Sequence, residues 1–169
     1  MAYSYSDFKE EVVSYIKDNF NPDSTILDVG AGSGTYYNYL YRDFKNIDAV
    51  EVFEPNIINF DLKNKYKNVY NTDIKNFKYD YYDLIIFGDI LEHLDIKDAQ
   101  MVLKYALERC KEVIVAVPYM YKQGIEHNNI YEIHKQDDLT KENMKKRYPE
   151  LKLLYGNDRY GYYIKKEEV

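Results

Sequence analysis

The stretch from Ile26 to Tyr36, ILDVGAGSGTY, leaves the chain few ways to fold around it. A short apolar run ends on Asp28 and Val29. Glycines follow at 30, 32 and 34, before the helical spacing of Tyr37, Leu40, Tyr41 and Phe44 begins. Glycine enters positive φ freely and lets other atoms approach its backbone, at an entropic cost. Three of them directly after a strand predict a strand–loop–helix unit whose loop is shaped for a ligand to come close. The rest of the chain repeats the theme. Phe8, Val12, Ile16 and Phe20 give an amphipathic helix from about Ser6 to Phe20. Strands are expected at Thr25–Val29, Ala49–Phe53, Asn68–Tyr70, Asp83–Gly88 and Glu112–Val117. Between and after them lie a helix from Glu54-Pro55 to about Lys63, one capped by Asp95, and one capped by Thr140 that ends before Pro149. The closing LKLLYGNDRYGYYIKK reads as two strands around a Gly156-Asn157-Asp158 turn. Such alternation implies a parallel sheet with helices on both faces, and ligands bind beyond the carboxyl ends of its strands.

The loop is not built for phosphate. Its spacing is D-x-G-x-G-x-G, whereas the dinucleotide fingerprint would need a glycine at position 35, where Thr35 stands. Asp28 would sit badly beside a pyrophosphate and suits a cationic ligand without phosphate. No G-K-[ST] follows, so a phosphate-binding P-loop is excluded. The net charge of −6 argues against a broad nucleic-acid footprint, which needs a basic face. Cys110 is the only cysteine, which rules out an intramolecular disulfide and a Cys-rich zinc site. The first residues show no basic, then apolar, leader, and no apolar run approaches the roughly 20 residues of a membrane span. A cytoplasmic protein is expected. The 21 tyrosines read as a mark of coding composition rather than of chemistry.

At these residues the sequence resembles the class I S-adenosylmethionine-dependent methyltransferases, whose first motif ILDVGAGSGTY matches. The resemblance implies that the Gly30, Gly32 and Gly34 loop passes under the methionine part of S-adenosylmethionine and that Asp28 helps hold its ammonium. Glu51, about twenty residues past Gly30, stands where an acid meets ribose hydroxyls in related sheets. Glu54 competes for that role but also reads as the acid of a helix N-terminus. In NTDIKNF, Asp73 would accept from the adenine amino group and Ile74 would pack on the ring. FGDILEHL resembles the fourth-strand end of many small-molecule and sugar methyltransferases, where Gly88 and Asp89 border the sulfonium and the acceptor. EVIVAVP extends the match to Pro118. The implied fold is α/β: a Rossmann-like, mostly parallel seven-stranded sheet with helices on both faces and a C-terminal antiparallel hairpin, forming one domain over residues 1–169.

An O-nucleophile needs its proton removed. The candidates are His93, at the fourth-strand end beside Asp89, and His134, in the long segment after the fifth strand. Tyr119, Tyr121 and Tyr131 are expected to wall the acceptor pocket. Asp89-x-x-Glu92-His93 with a later histidine is similar to the E-x-x-E-H plus His set that binds magnesium in small-RNA 2′-O-methyltransferases. Here the first position is Asp, and no metal is expected. The fourth-strand end GDIL lacks the [DNS]-P-P-[FYW] of amino-methylating DNA enzymes. Asp28 and Thr35 argue against a nicotinamide oxidoreductase. The expected activity is O-methylation of a small molecule or sugar hydroxyl. Ribose methylation of RNA, for which KENMKKR is the best basic feature, and a cofactor-binding non-catalytic subunit are the alternatives. Little chain is left for a substrate domain, so the acceptor is small, or a second copy or partner subunit completes the pocket.

Overall fold

Apolar runs of four to six residues, buried on both faces, dictate the centre of the molecule. The computed structural model describes residues 6–166. Residues 1–5, part of the stretch read as carrying no leader, lie outside the described residues. Seven strands form one sheet: β1 (Thr25–Val29), β2 (Asn46–Val50), β3 (Asn68–Tyr70), β4 (Tyr82–Gly88), β5 (Cys110–Pro118), β6 (Leu151–Gly156) and β7 (Tyr160–Lys165). Their order is β3-β2-β1-β4-β5-β7-β6. The first five strands pair in parallel, and the closing hairpin enters antiparallel, with β7 against β5.

Side chains alternate between the faces, as a pleated strand requires. Leu27, Val29, Ile85, Phe87, Val113 and Val115 face one core with helices α5 (Ile96–Leu107) and α6 (Lys141–Arg147). Ile26, Leu84, Ile86 and Ile114 face the other, under α1 (Lys9–Asn19), α2 (Thr35–Leu40), α3 (Glu54–Asn59) and α4 (Leu62–Lys65). Leu84 to Phe87 are wholly buried, and each such side chain contributes roughly 1.5–3 kcal/mol of burial free energy. Tyr148, Tyr160 and Tyr162 are among the largest fully buried side chains. These three tyrosines thus serve as core volume, with no tryptophan in the chain.

The expected elements hold with shifted edges. β2 ends at Val50 rather than Phe53, because Phe53 N–H turns back onto the Glu51 carboxylate (2.9 Å). The helix expected from Glu54 to Lys63 is two short helices, broken at Phe60-Asp61, where Asp61 takes φ 53°. Thr140 does cap α6, its hydroxyl accepting from Asn143 N–H at 3.0 Å. Asp95 sits at the N-cap of α5 but makes no side-chain cap bond. Its carboxylate instead pairs with Lys135 at 3.2 Å. No helix among the described residues is long and apolar enough to cross a membrane.

Candidate functional site

The carboxyl ends of β1, β2 and β4 open into a cleft of about 690 Å³. Its floor is the glycine loop. Gly30 and Ala31 N–H both donate to Val50 O, at 2.7 and 3.3 Å, which ties the loop to the end of β2. Gly30, Gly32 and Gly34 have φ of 71°, 53° and 82°. At Gly30 the absence of a side chain matters twice, because a Cβ there would lie 1.9 Å from Ile90 Cδ1. At Gly88 a Cβ would meet the Tyr36 ring at 2.4 Å. Gly34 does not line the cleft. That residue turns the chain into α2, with its N–H on Ala31 O at 2.7 Å.

Glu51 lines the cleft and is buried. Its carboxylate accepts from Gly32 N–H at 2.8 Å and Phe53 N–H at 2.9 Å, while burial pushes its pKa up. Glu54 is exposed at the start of α3 and does not line the cleft. Asp73 and Ile74 stand on the opposite wall, and Asp73 also accepts from Lys75 N–H at 2.9 Å.

Asp28 is not among the residues that line the cleft. Strand alternation turns its side chain away from the cleft and under the loop, where it is 1% exposed and accepts from Tyr66 Oη at 2.6 Å. Burial raises its carboxyl to about 6 against the pull of that bond and of Lys9. Lys9 is buried on the same side. It donates to Tyr36 Oη at 3.3 Å, and burial lowers its ammonium to about 8. Asp28 therefore supports the loop from behind and is not a wall of the cleft.

The other end of the cleft gathers Asp89, Glu92, His93 and His134. Asp89 follows β4 with φ 57° and accepts from Tyr160 Oη at 2.6 Å. His93 and His134, 41 positions apart in sequence, meet edge to face with ring centroids 4.6 Å apart. His93 Nδ1 lies 3.3 Å from Ile133 O, and His134 Nδ1 lies 2.7 Å from Tyr121 O. A carbonyl only accepts, so both Nδ1 atoms carry protons and both neutral rings present Nε2 lone pairs. Burial, with the neighbouring ring, drives His93 down to about 4, and burial lowers His134 as well. Glu92 is 0% exposed, neither of its carboxylate oxygens has a hydrogen-bond partner, and its Oε1 lies 4.0 Å from His93 Nε2. Burial and the charge of Asp89 raise its pKa well above the usual carboxylate range. Ligand atoms of Glu92, His93 and His134 all lie within 4.8 Å of one another.

Tyr121 and Tyr131 line this end, as the sequence suggests. Tyr119 does not: it is buried against Gly161, hydroxyl to hydroxyl with Tyr163. Sequence reasoning missed Tyr36, whose ring closes over Gly88, and the pair of Gln123 and Glu132, bonded at 3.0 Å inside the cleft. Only the position of Tyr36, directly after the glycine loop, hinted at it. Nothing in the sequence marks Gln123.

The donor set fits a ligand with hydroxyls, an amine and a positive charge. Acidic side chains Glu51 and Asp73 line the cleft, and Lys75, also in the lining, is paired with Asp73 and Asp98 at 3.6 and 3.4 Å. A family model described as a methyltransferase domain matches residues 1–139. No curated protein matches the chain. Among solved structures, the chain is similar to an S-adenosylmethionine-dependent methyltransferase from Clostridium acetobutylicum ATCC 824, with a TM-score of 0.71 and 17% identity over 96% of this chain and 92% of that one. It is also similar to magnesium protoporphyrin IX methyltransferase from Synechocystis PCC 6803 with bound SAM, with a TM-score of 0.63 and 14% identity over 93% and 77%. The N-methyltransferase NodS from Bradyrhizobium japonicum WM9 gives a TM-score of 0.66 and 12% identity over 95% and 96%. The chain belongs to the methyltransferase domain family and is a class I S-adenosylmethionine-dependent methyltransferase.

Proposed function

We propose that the chain, acting as one domain over residues 1–169, methylates a hydroxyl of a small molecule or sugar. The observation that carries this reading is the pair of neutral imidazoles at the cleft end, each held by a carbonyl at Nδ1 with Nε2 left to accept a proton. S-adenosylmethionine supplies a methyl group already activated on a positive sulfur. Gly30, Gly32, Glu51, Asp73, Ile74 and Gly88 are the residues that would hold it. The chain then has to orient the acceptor and take its proton. His93 or His134 takes the proton at Nε2, and Asp89 borders the acceptor. Burial leaves both rings neutral with Nε2 unprotonated, and it also makes His93, held at about 4, a weak base, since a base works best with a pKa near the working pH. The cleft has to house both ligands in about 690 Å³, which favours a small acceptor. Asp73, Asp89 and Glu132 around it repel the phosphates of an RNA.

Incubation with methyl-labelled S-adenosylmethionine and matched sets of sugars, phenols and RNA tests the reading. Label on a hydroxyl of a small acceptor supports it; label on RNA alone refutes it.

A second reading of the same end rests on Glu92, a buried carboxylate without a partner facing two imidazole lone pairs. One carboxylate and two neutral histidines form a set that binds divalent transition metals, and the bonds at Nδ1 are the outer partners such ligands need. In this reading Glu92, His93 and His134 would hold the cation, which would supply the charge that lowers the pKa of the acceptor hydroxyl. Loss of activity in chelator, restored by a divalent cation, favours it. Full activity in chelator ends it.

A further inference from the structure

The cleft end depends on two pieces of chain that sequence separates widely. Glu92 and His93 ride on the single 3-10 turn Leu91–His93, and His134 comes from the segment after β5. Besides the His93 contact with Ile133 O, a second set of contacts joins them. Lys135 and Gln136 N–H both donate to Glu92 O, at 2.8 and 3.0 Å. The Gln136 side chain, 2% exposed, reaches further round the same turn, donating from Nε2 to Leu91 O at 2.8 Å and Leu94 O at 3.0 Å. Its far side is fixed in turn. Tyr148 Oη lies 2.8 Å from Nε2 and 2.9 Å from Oε1, and Arg147 donates to Oε1 at 3.2 Å while pairing with Asp138.

We infer that Gln136 is the positioning residue of the acceptor site: one buried amide locks the turn carrying Glu92 and His93 to the segment carrying His134. This rests on the reading of those side chains as the acceptor machinery. The amide is suited to the task because it donates twice and accepts at once, and the turn offers it two carbonyls, of which Leu91 O also accepts from Leu94 N–H at 3.2 Å. Without it, Leu91 O keeps only the 3.2 Å bond from Leu94 N–H and the half-buried Leu94 carbonyl loses the Gln136 donor, so the turn has reason to move. Gln136 does not line the cleft and touches neither the glycine loop nor Glu51. Its loss is therefore felt at the acceptor end alone.

The experiment replaces Gln136 by Leu, which keeps volume and removes both donors. A second variant, Gln136→Glu, retains an oxygen for Tyr148 and Arg147 and serves if the leucine variant fails to fold. Two readouts are taken on each. Amide hydrogen exchange at His93, Leu94, Lys135 and Gln136 is expected to quicken about tenfold or more, with Gly30 and Gly32 unchanged. Turnover of the hydroxyl acceptor is expected to fall about 10- to 100-fold, the cost of displacing a reacting group by about an ångström, while S-adenosylmethionine affinity stays within about twofold. Unchanged exchange in the turn overturns the inference, and so does a released turn with unchanged turnover. Cofactor affinity falling in parallel with turnover also overturns it, since that is general destabilisation. If the unaltered chain methylates no hydroxyl at all, the reading of the acceptor fails, and the exchange result alone decides the inference.

Discussion

Replacing Gly30 by alanine probes the glycine loop where its geometry is tightest. The backbone there has φ 71°, and the new Cβ would lie 1.9 Å from Ile90 Cδ1 and 2.9 Å from Cγ1. The two problems differ in kind. The contact is with the free end of a side chain, so Ile90 relieves it by turning off its rotamer, at about 0.5–1.5 kcal/mol. The left-handed backbone admits no such escape and costs a residue with a Cβ about 1–2 kcal/mol. Together the substitution destabilises the fold by about 2–3 kcal/mol, and at about 2–4 °C per kcal/mol the Tm falls by about 5–10 °C. Ile90 lines the cleft, so its displacement also weakens S-adenosylmethionine binding. Thermal unfolding and calorimetric titration measure both. Gly124→Ala is the control, because a Cβ there meets nothing within 4 Å, and its Tm is expected to stay within about 1–2 °C. A Gly30→Ala variant that matches the control in Tm and in cofactor affinity would refute the reasoning that the loop is shaped by steric exclusion.

Two further perturbations separate the support of the loop from its lining. Burial raises Asp28 from 3.8 to about 6, so the folded chain holds a proton that the unfolded chain releases. That contribution to stability is complete below about pH 4 and is lost as pH rises through about 6. At about 1.4 kcal/mol per pH unit it amounts to about 3 kcal/mol. Asp28→Asn removes the slope while leaving an oxygen for Tyr66, and urea unfolding between pH 4 and 8 should show the variant gaining on the original as pH rises. Parallel curves would contradict the placement of Asp28. Glu51→Gln puts an amide NH2 against one of two backbone N–H groups, and losing a bond to a charged acceptor costs about 1.5–3 kcal/mol. S-adenosylmethionine affinity should fall about 10- to 100-fold by calorimetry, and an unchanged affinity would remove Glu51 from the site.

Features that depend on neighbouring residues were legible in the sequence. The strand at Thr25–Val29, the glycines after it, the Thr140 cap and the closing hairpin each carry a local signal, and each forms where expected. Features decided by distant packing were not. The carboxylate of Asp28 sits beside the glycine loop in sequence. Its direction is set by strand alternation and by Tyr66, 38 positions away, with Lys9 on the same side. Tyr119 follows β5 as a natural wall residue, yet β7 takes its hydroxyl. Of the three glycines, Gly34 looks equivalent to the others and sits outside the cleft lining, at the entry to α2. His93 and His134 were visible as candidates, but that their rings meet, 41 positions apart, is decided by packing that no motif marks.

The central claim is that the glycine loop and Glu51 hold S-adenosylmethionine. Titrating that compound into the purified chain by calorimetry, with NADH as the parallel ligand, tests it most directly. The account predicts binding on the order of micromolar for S-adenosylmethionine and no heat from NADH. Binding of NADH, or of neither ligand, would contradict it.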